Sequence, residues 1–369
     1  MLERSASEDQ IARLRLIRSD NIGPVTYFQL LARFGSAGAA LDAIPDLAAR
    51  GGGRAPKLVA RGLVEREMEA VAALGARYLF LGQGLYPPLL AELETAPPAL
   101  IVKGHLSLLE KPAIAMVGAR NASAAACRFA RQLARQVGDA GAVIVSGLAR
   151  GIDTAAHDGA LESGTIAIIA GGIDVAYPPE NADRQQAITE RGLLIAEQPP
   201  GVEPRARHFP YRNRIIAGLA HGTVVIEAAP KSGSLITARY ATEFGRDVMA
   251  VPGSPLDPRA QGCNQLIREG AILVQSPEDV MELLRGFDGT PRSSLREAPA
   301  HRFEDDESLA DEPADVEALL TTAPVGVDEL VRQSGTSTGA VQMALLELEI
   351  AGRLMRHAGG RVSLSEAFA

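Results

Sequence analysis

The sequence predicts an α/β chain: a doubly wound parallel sheet, with a helical unit before it and a winged-helix unit after it. Three observations predict this. Short continuous apolar runs alternate with helical stretches from residue 113 to about 275. The first eighty residues carry apolar stripes at helical spacing instead. The last fifty-odd read as helices followed by a Gly-Gly hairpin. A length of 369 residues is too long for one ordinary core and suits two or three domains. The expected division is 1–80 helical, 81–286 sheet core, 287–312 linker and 313–369 winged helix.

At the N-terminal end, IARLRLIRS and VTYFQLLARFG carry apolar stripes on either side of Asn21-Ile22-Gly23-Pro24. The run LIRSDNIGPVTYFQLLARFGS resembles a helix-hairpin-helix or SAM-like unit, in which a glycine-containing turn joins two helices. Gly51-Gly52-Gly53-Arg54 predicts a turn.

The strand candidates are AIAMV (113–117), AVIVS (142–146), TIAIIA (165–170), LLIAE (193–197), TVVIEA (223–228), DVMAV (247–251) and AILV (271–274). Runs apolar throughout, rather than alternating, mean strands covered on both faces. Helices such as ASAAACRFARQLARQVGDA and LITARYATEFG lie between them, so the core is expected to be Rossmann-like. Ligands of such sheets bind outside the carboxyl ends of the strands. The Gly, Ser, Arg and Lys residues of this chain collect there.

Residues 287–312 combine proline, serine and a dense acidic run, and read as a disordered linker. Beyond them ADVEALL, VDELVRQSG and STGAVQMALLELEIAGR are expected helices, and RLMRHAGGRVSLS a strand-turn-strand. The third helix of such a unit ordinarily reads duplex DNA. Here it carries Glu347 and Glu349 and only Arg353 near its end, which favours a packing or protein-contact role.

Net charge is −8, but it is unevenly spread. Residues 111–275 hold 17 Lys+Arg against 15 Asp+Glu, while residues 276–369 hold 8 against 18. A local basic pocket in the core is compatible with this; a broad basic face is not. Cys127 and Cys263 are too few and too separated for a disulfide framework, which fits a reducing compartment, the cytoplasm. No apolar run approaches a membrane span, and MLERSASEDQ has no secretory h-region.

Five strand-end loops carry candidate chemistry. Gly118-Ala119-Arg120-Asn121 offers a glycine for close approach and a guanidinium for phosphate. Ser146-Gly147 is a turn expected to expose backbone N–H groups, with Asp153 as cap of the next helix and His157 one turn on, expected to be a packed helix histidine. Ala170-Gly171-Gly172-Ile173-Asp174, followed by Tyr177-Pro178-Pro179, is a glycine turn without an assigned partner. His208-Phe209-Pro210-Tyr211-Arg212-Asn213-Arg214 puts an aromatic beside two arginines. That is what stacking on bases and pairing with phosphates needs, and equally what a core ring with ion-paired arginines would look like. Lys231-Ser232-Gly233-Ser234 at a helix start reads as an anion site by its cation, hydroxyls and free N–H groups, and otherwise as a capped helix after a tight turn. It lacks the order of a Walker A loop. No GxSxG elbow or HExxH occurs, and the histidines at 105, 157, 208, 221, 301 and 357 have no partner at metal-ligand spacing. No cofactor, metal or catalytic residue is expected.

Taken in order, VGAR, VSGLARGIDTAAH, AGGID, HFPYRNRIIAGL and KSGSLITARYATEFGRDVMAVPG resemble the DNA-processing protein A (DprA/Smf) family over about residues 80–285. The resemblance implies a non-hydrolytic single-stranded DNA-binding protein that forms a homodimer and loads the recombinase RecA in natural transformation. It implies Arg120 and Lys231 as phosphate ligands, with Ser232, Gly233 and Ser234 as added donors. Phe209 would be the stacking ring, Arg212, Asn213 and Arg214 would line or brace the pocket, and Arg205 and Arg207 match a further cation loosely. A different reading of the same sheet is a nucleotide or phosphoribosyl-compound hydrolase, although EAAPKSGSLITA is not the usual loop of those enzymes. A third is an interaction scaffold worked by the terminal units.

Overall fold

In the computed structural model residues 2–285, 316–357 and 359–365 are described. They fall into two compact units: residues up to Glu65 together with those from Val316 on, and residues from Arg66 to Arg285. The expected linker at 287–312 lies outside the described residues.

The first unit begins with α1 (Leu2–Arg18), α2 (Pro24–Phe34) and α3 (Ala37–Arg50). Pro24 suits the first turn of α2, where an N–H would have no intrahelical acceptor. Gly35, at φ 72°, ends that helix by donating its N–H to the Leu31 carbonyl. The turn between α1 and α2 is the one read from Asn21-Ile22-Gly23. Helix α4 (Arg61–Ala73) leads into the second unit.

That unit is built from β1 (Arg77–Phe80), α5 (Pro88–Ala91), β2 (Ala99–Gly104), β3 (Ala113–Gly118), α6 (Ala124–Asp139), β4 (Val143–Ser146) and α7 (Ile152–Ala160). It continues through β5 (Thr165–Gly172), α8 (Ala182–Arg191), β6 (Leu193–Gln198), α9 (His208–Leu219), β7 (Gly222–Ile226) and α10 (Gly233–Glu243). It closes with β8 (Asp247–Ala250), α11 (Gln261–Arg268), β9 (Ile272–Leu273) and α12 (Pro277–Arg285). One nine-stranded sheet results, in the order β1-β2-β6-β5-β4-β3-β7-β8-β9. The seven strands read from the sequence are β3 to β9, and all of the pairings among them are parallel. Strands β1 and β2 extend the sheet in antiparallel fashion and were not anticipated. The boundary expected after residue 80 therefore falls behind β1, because Leu79 and Phe80 bury themselves beside β2.

Every residue of β4, β5 and β7 is buried, as covering on both faces requires. One apolar cluster joins Ile114, Met116, Ile144 and Val224 to Leu133, Val137 and Ala156 of α6 and α7. Another joins Ile101, Ala167, Ile169 and Leu194 to Ile188 of α8 and Val71 of α4.

The first unit resumes with β10 (Val325–Gly326), α13 (Val327–Ser334), α14 (Thr338–Ile350), β11 (Leu354–His357) and β12 (Arg361–Leu364). Strands β10, β12 and β11 form the wing, in that order. The helix expected from ADVEALL is, among the described residues, a single 3-10 turn at Glu317–Leu319 that buries Val316 and Leu320. Helix α14 shares a core with the N-terminal helices: Leu346 and Ile350 are buried among Leu16, Tyr27, Leu30, Ile44 and Leu47. The two glutamates that would repel a duplex are spent locally, Glu347 on Arg50 at 2.9 Å and Glu349 on Arg356 at 2.8 Å. Arg356 also donates to Gln29. Helix α14 is thus a packing element of this unit. Among the described residues no helix is long and apolar enough to cross a membrane.

Candidate nucleic-acid interface

The loops singled out in the sequence follow parallel strands, so they emerge together at the carboxyl edge of the sheet. Strand β3 lies between β4 and β7. The chain winds away from it through β4, β5 and β6, then returns to build β7, β8 and β9 on its other side. Such a reversal separates the two following loops and leaves a ligand crevice between them. Arg120 follows β3 and Lys231 follows β7, one on each bank.

The two banks are tied together. The Ser123 backbone N–H and hydroxyl donate to the Glu227 carboxylate at 2.8 and 2.7 Å. Ser123 also caps α6 by accepting from the Ala126 N–H. The start of α6 is therefore already supplied with an anion, whereas among the described residues no carboxylate is bonded at the start of α10. There Ser232 is the capping residue, its Oγ 2.8 Å from that of Ser234, and Gly233 is exposed while Ser234 is buried. Lys231 stands in front of them, exposed, at φ 66°.

Arg120 is exposed as well, with its guanidinium 5.3 Å from the centre of the Phe209 ring. Arg212 lies 5.9 Å from the same ring. Neither Arg120 nor Lys231 forms an ion pair or a side-chain hydrogen bond among the described residues. Phe209 is half-buried in the first turn of α9. Arg205 and Arg207 are exposed just before it, and Arg207 Nε lies 3.5 Å from His208 Nε2. Burial, and then the charges of Arg207 and Arg205, hold the His208 imidazole below its usual range.

Several residues expected at the interface turn out to build its floor. Ser146 is fully buried and donates to the Met116 carbonyl at 2.6 Å, joining β4 to β3, so its hydroxyl is closed to a ligand. The Ser146-Gly147 turn does not present free N–H groups. Asp153 accepts from Gly147 at 3.2 Å and from Ala149 at 3.3 Å, so it anchors this loop and is not the cap of α7. Arg212 is buried and faces Asp153 at 3.8 Å. Burial pushes the Asp153 carboxyl up, against the pull of Arg212, and the same burial pushes the Arg212 guanidinium down. A side chain at Gly147 would overlap the Arg212 guanidinium, so a larger residue there has to displace Arg212. Asn213 donates to the Gly233 carbonyl at 3.2 Å, holding α9 to the start of α10. Arg214 is buried, donating to the Thr95 carbonyl and pairing with Glu197 at 2.5 Å. Arg214 is spent inside the protein and has nothing left for a phosphate, and Asn213 ties two helices together. Arg212 keeps only the 3.8 Å approach to Asp153, and among the described residues its Nε has no hydrogen-bond partner.

His157 is buried on α7, its Nδ1 2.7 Å from the Thr165 hydroxyl, and desolvation pulls it down to about 3. Cys263 is buried and its thiol is pushed up to about 11. Among the described residues no group of three or more His, Cys, Asp and Glu side chains is placed to hold a metal ion. One exposed aromatic passed unremarked as a contact residue: Tyr177, whose ring centre lies 5.7 Å from that of Phe209. Its only sequence signal was an aromatic next to two prolines after a glycine turn. The edge thus offers unpaired cations beside an accessible ring, and these can take a phosphate and a base.

The chain is similar to known proteins along most of its length. Residues 77–285 match the family model of DNA recombination-mediator protein A. Residues 7–70 match the DprA-like N-terminal HHH domain, and residues 299–360 the DprA winged helix domain. The DNA processing protein DprA of Streptococcus pneumoniae is 49% identical over 198 residues, 53% of this chain and 70% of that one. Protein Smf of Escherichia coli is 38% identical over 288 residues, 76% of each. The X-ray structure of the S. pneumoniae protein superimposes with a TM-score of 0.57 at 43% identity, covering 61% of this chain and 78% of that one. A Helicobacter pylori structure describing the single-stranded DNA binding mode of DNA processing protein A superimposes with a TM-score of 0.52 at 29% identity, covering 57% and 96%.

Proposed function

Because this chain belongs to the DNA recombination-mediator protein A (DprA/Smf) family, we propose that it binds single-stranded DNA at the carboxyl edge of its sheet and holds the strand without cutting it. The observation that carries this reading is the pair of exposed cations, Arg120 and Lys231, unpaired among the described residues, on the two banks of the crevice, with Phe209 beside Arg120. Phosphates neutralise the cations and bases stack on the ring, so binding is salt-sensitive and nearly indifferent to sequence. Ser232, Gly233 and Ser234 add donors at the start of α10. Arg212, Asn213 and Arg214 keep the ring and the loops in place. Ser146 and His157, the hydroxyl and imidazole that an acid-base reading would use, are spent inside the protein, which supports a binding role over an enzymatic one.

The strand is handed on to the recombinase RecA in the cytoplasm, as part of natural transformation or recombination. The protein works as a homodimer formed through its core. Support for that comes from β9, the last strand of the sheet, where Ile272 and Leu273 are 40% and 42% exposed.

Fluorescence anisotropy with a labelled oligo-dT strand and a matching duplex tests the reading. The wild type is expected to prefer the single strand, and the Arg120→Ala/Lys231→Ala double variant to lose most of that binding. Absence of single-strand binding at low salt, or release of base from nucleoside monophosphates by the wild type, would favour the nucleotide hydrolase instead.

A further inference from the structure

We propose that Tyr177 is a second stacking platform, so that two successive bases of a bound strand rest on adjoining rings, Phe209 and Tyr177. The proposal deepens the single-strand reading given above and rests on it. Isolated exposed apolar side chains are ordinary on a protein surface. Tyr177 is 45% exposed but not isolated: its ring centre lies 5.7 Å from that of Phe209, and Arg120 lies over the Phe209 ring. An aromatic pair with an adjacent unpaired cation is the arrangement that takes stacked bases and their phosphate together.

The angle between the rings decides how they are used. Their planes are inclined by 53°. A base sandwiched between two rings needs parallel planes two stacking distances apart, and this pair is too close and too tilted for that. Each ring therefore offers a face of its own, and neighbouring bases of one strand go to neighbouring rings.

The loop that carries Tyr177 is held on both sides. Asp174 accepts from the Gly201 N–H at 2.8 Å, and Gln185 donates to the Ile173 and Val175 carbonyls at 3.4 and 3.3 Å. Asn181 donates its backbone N–H to the Pro178 carbonyl and its side-chain amide to the Leu148 carbonyl, each at 2.9 Å. Leu148 belongs to the loop that Asp153 and Arg212 fix from below. A ring on so braced a loop loses little freedom when a base settles on it, and tyrosine has only two side-chain torsions to fix. Among the described residues no hydrogen bond holds the Tyr177 hydroxyl, so the ring face is what the position supplies.

The chain has no tryptophan and six tyrosines, so tyrosine emission can be read directly. Full-length wild type, Tyr177→Leu, Tyr177→Phe and Phe209→Ala are titrated with oligo-dT and with an abasic strand of equal length. Tyr177→Leu, which keeps apolar bulk against Phe209, is expected to weaken oligo-dT binding roughly 5- to 150-fold while affecting the abasic strand far less. Tyr177→Phe recovers most of that loss, but the quenching of tyrosine emission on binding shrinks. Tyr177→Leu binding oligo-dT as tightly as wild type, while Phe209→Ala does not, would overturn the second platform and leave the single-strand reading standing. Equal weakening on both strands would make Tyr177 a structural residue and also overturn it. No binding of oligo-dT by the wild type would remove the premise itself.

Discussion

At the scale of single residues, burial and pairing sort the arginines into two kinds. Arg212 and Arg214 are buried and face Asp153 and Glu197, whereas Arg120 is exposed and has no carboxylate partner among the described residues. Removing Arg212 leaves the Asp153 carboxylate buried without its counter-charge, a change that costs about 3–5 kcal/mol. Arg120→Ala touches no such feature and should stay within about 0.5 kcal/mol of wild type. Urea unfolding of the two variants checks this, and equal destabilisation would contradict it. His157 adds a pH dependence of definite sign. Buried neutral, it titrates near 3 in the folded chain against 6.5 when unfolded, so between those values only the unfolded chain is protonated. Stability is therefore complete above about pH 6.5 and falls as pH drops toward 3, at up to about 1.4 kcal/mol per unit. His157→Gln should flatten that slope in urea melts run from pH 7 to 4.5; an unaltered slope would show that other groups set it. The sequence displays every one of these arginines, yet a side chain's partner is a matter of tertiary distance. Arg212 and Arg120 look alike in a string of letters, and so the sequence leaves open whether Arg212 and Arg214 line the pocket or brace it.

At the scale of elements, the carboxyl-edge loops hold strain. Leu148, Glu227 and Lys231 have φ of 55°, 50° and 66°, a region that costs a residue with a Cβ about 1–2 kcal/mol. Keeping a lysine at such a position makes sense if its cation is used. Lys231→Gly should accordingly raise stability by about 1 kcal/mol while weakening single-strand binding, and Lys231→Ala should weaken binding without the gain in stability. A glycine variant no more stable than the alanine one would contradict the strain argument; calorimetry or urea melts with paired binding curves decide. The central parallel strands were legible because a strand covered on both faces must be apolar throughout, and AIAMV or TIAIIA cannot be mistaken for a half-exposed element. β1 and β2 escaped because RYLF is four residues long with an exposed start, and ALIVKG pairs with it across residues 81–98, too long a connection to read as a hairpin.

At the scale of the whole molecule, chain ends that are far apart in sequence build one unit. Asn21 donates to the Ile350 carbonyl and Arg356 to Gln29, contacts spanning 329 and 327 residues. The apolar stripes of α2 and α14 were each readable, but amphipathicity does not say which face meets which, so a free winged helix and a free helical unit looked equally reasonable. The sheet unit, by contrast, announced its ligand edge, because winding order alone fixes where strand-end loops gather. The central claim is that this edge holds a single strand through a small number of unpaired cations. The measurement that tests it most directly is the salt dependence of oligo-dT affinity for the wild type and the Arg120→Ala/Lys231→Ala variant. Each phosphate contact on a single strand contributes about 0.7 to the slope of log affinity against log salt, so losing two should flatten the slope by about 1.4. A flattened slope with residual weak binding is the predicted result. A variant whose slope and affinity both match the wild type would contradict the account and move the strand away from this edge.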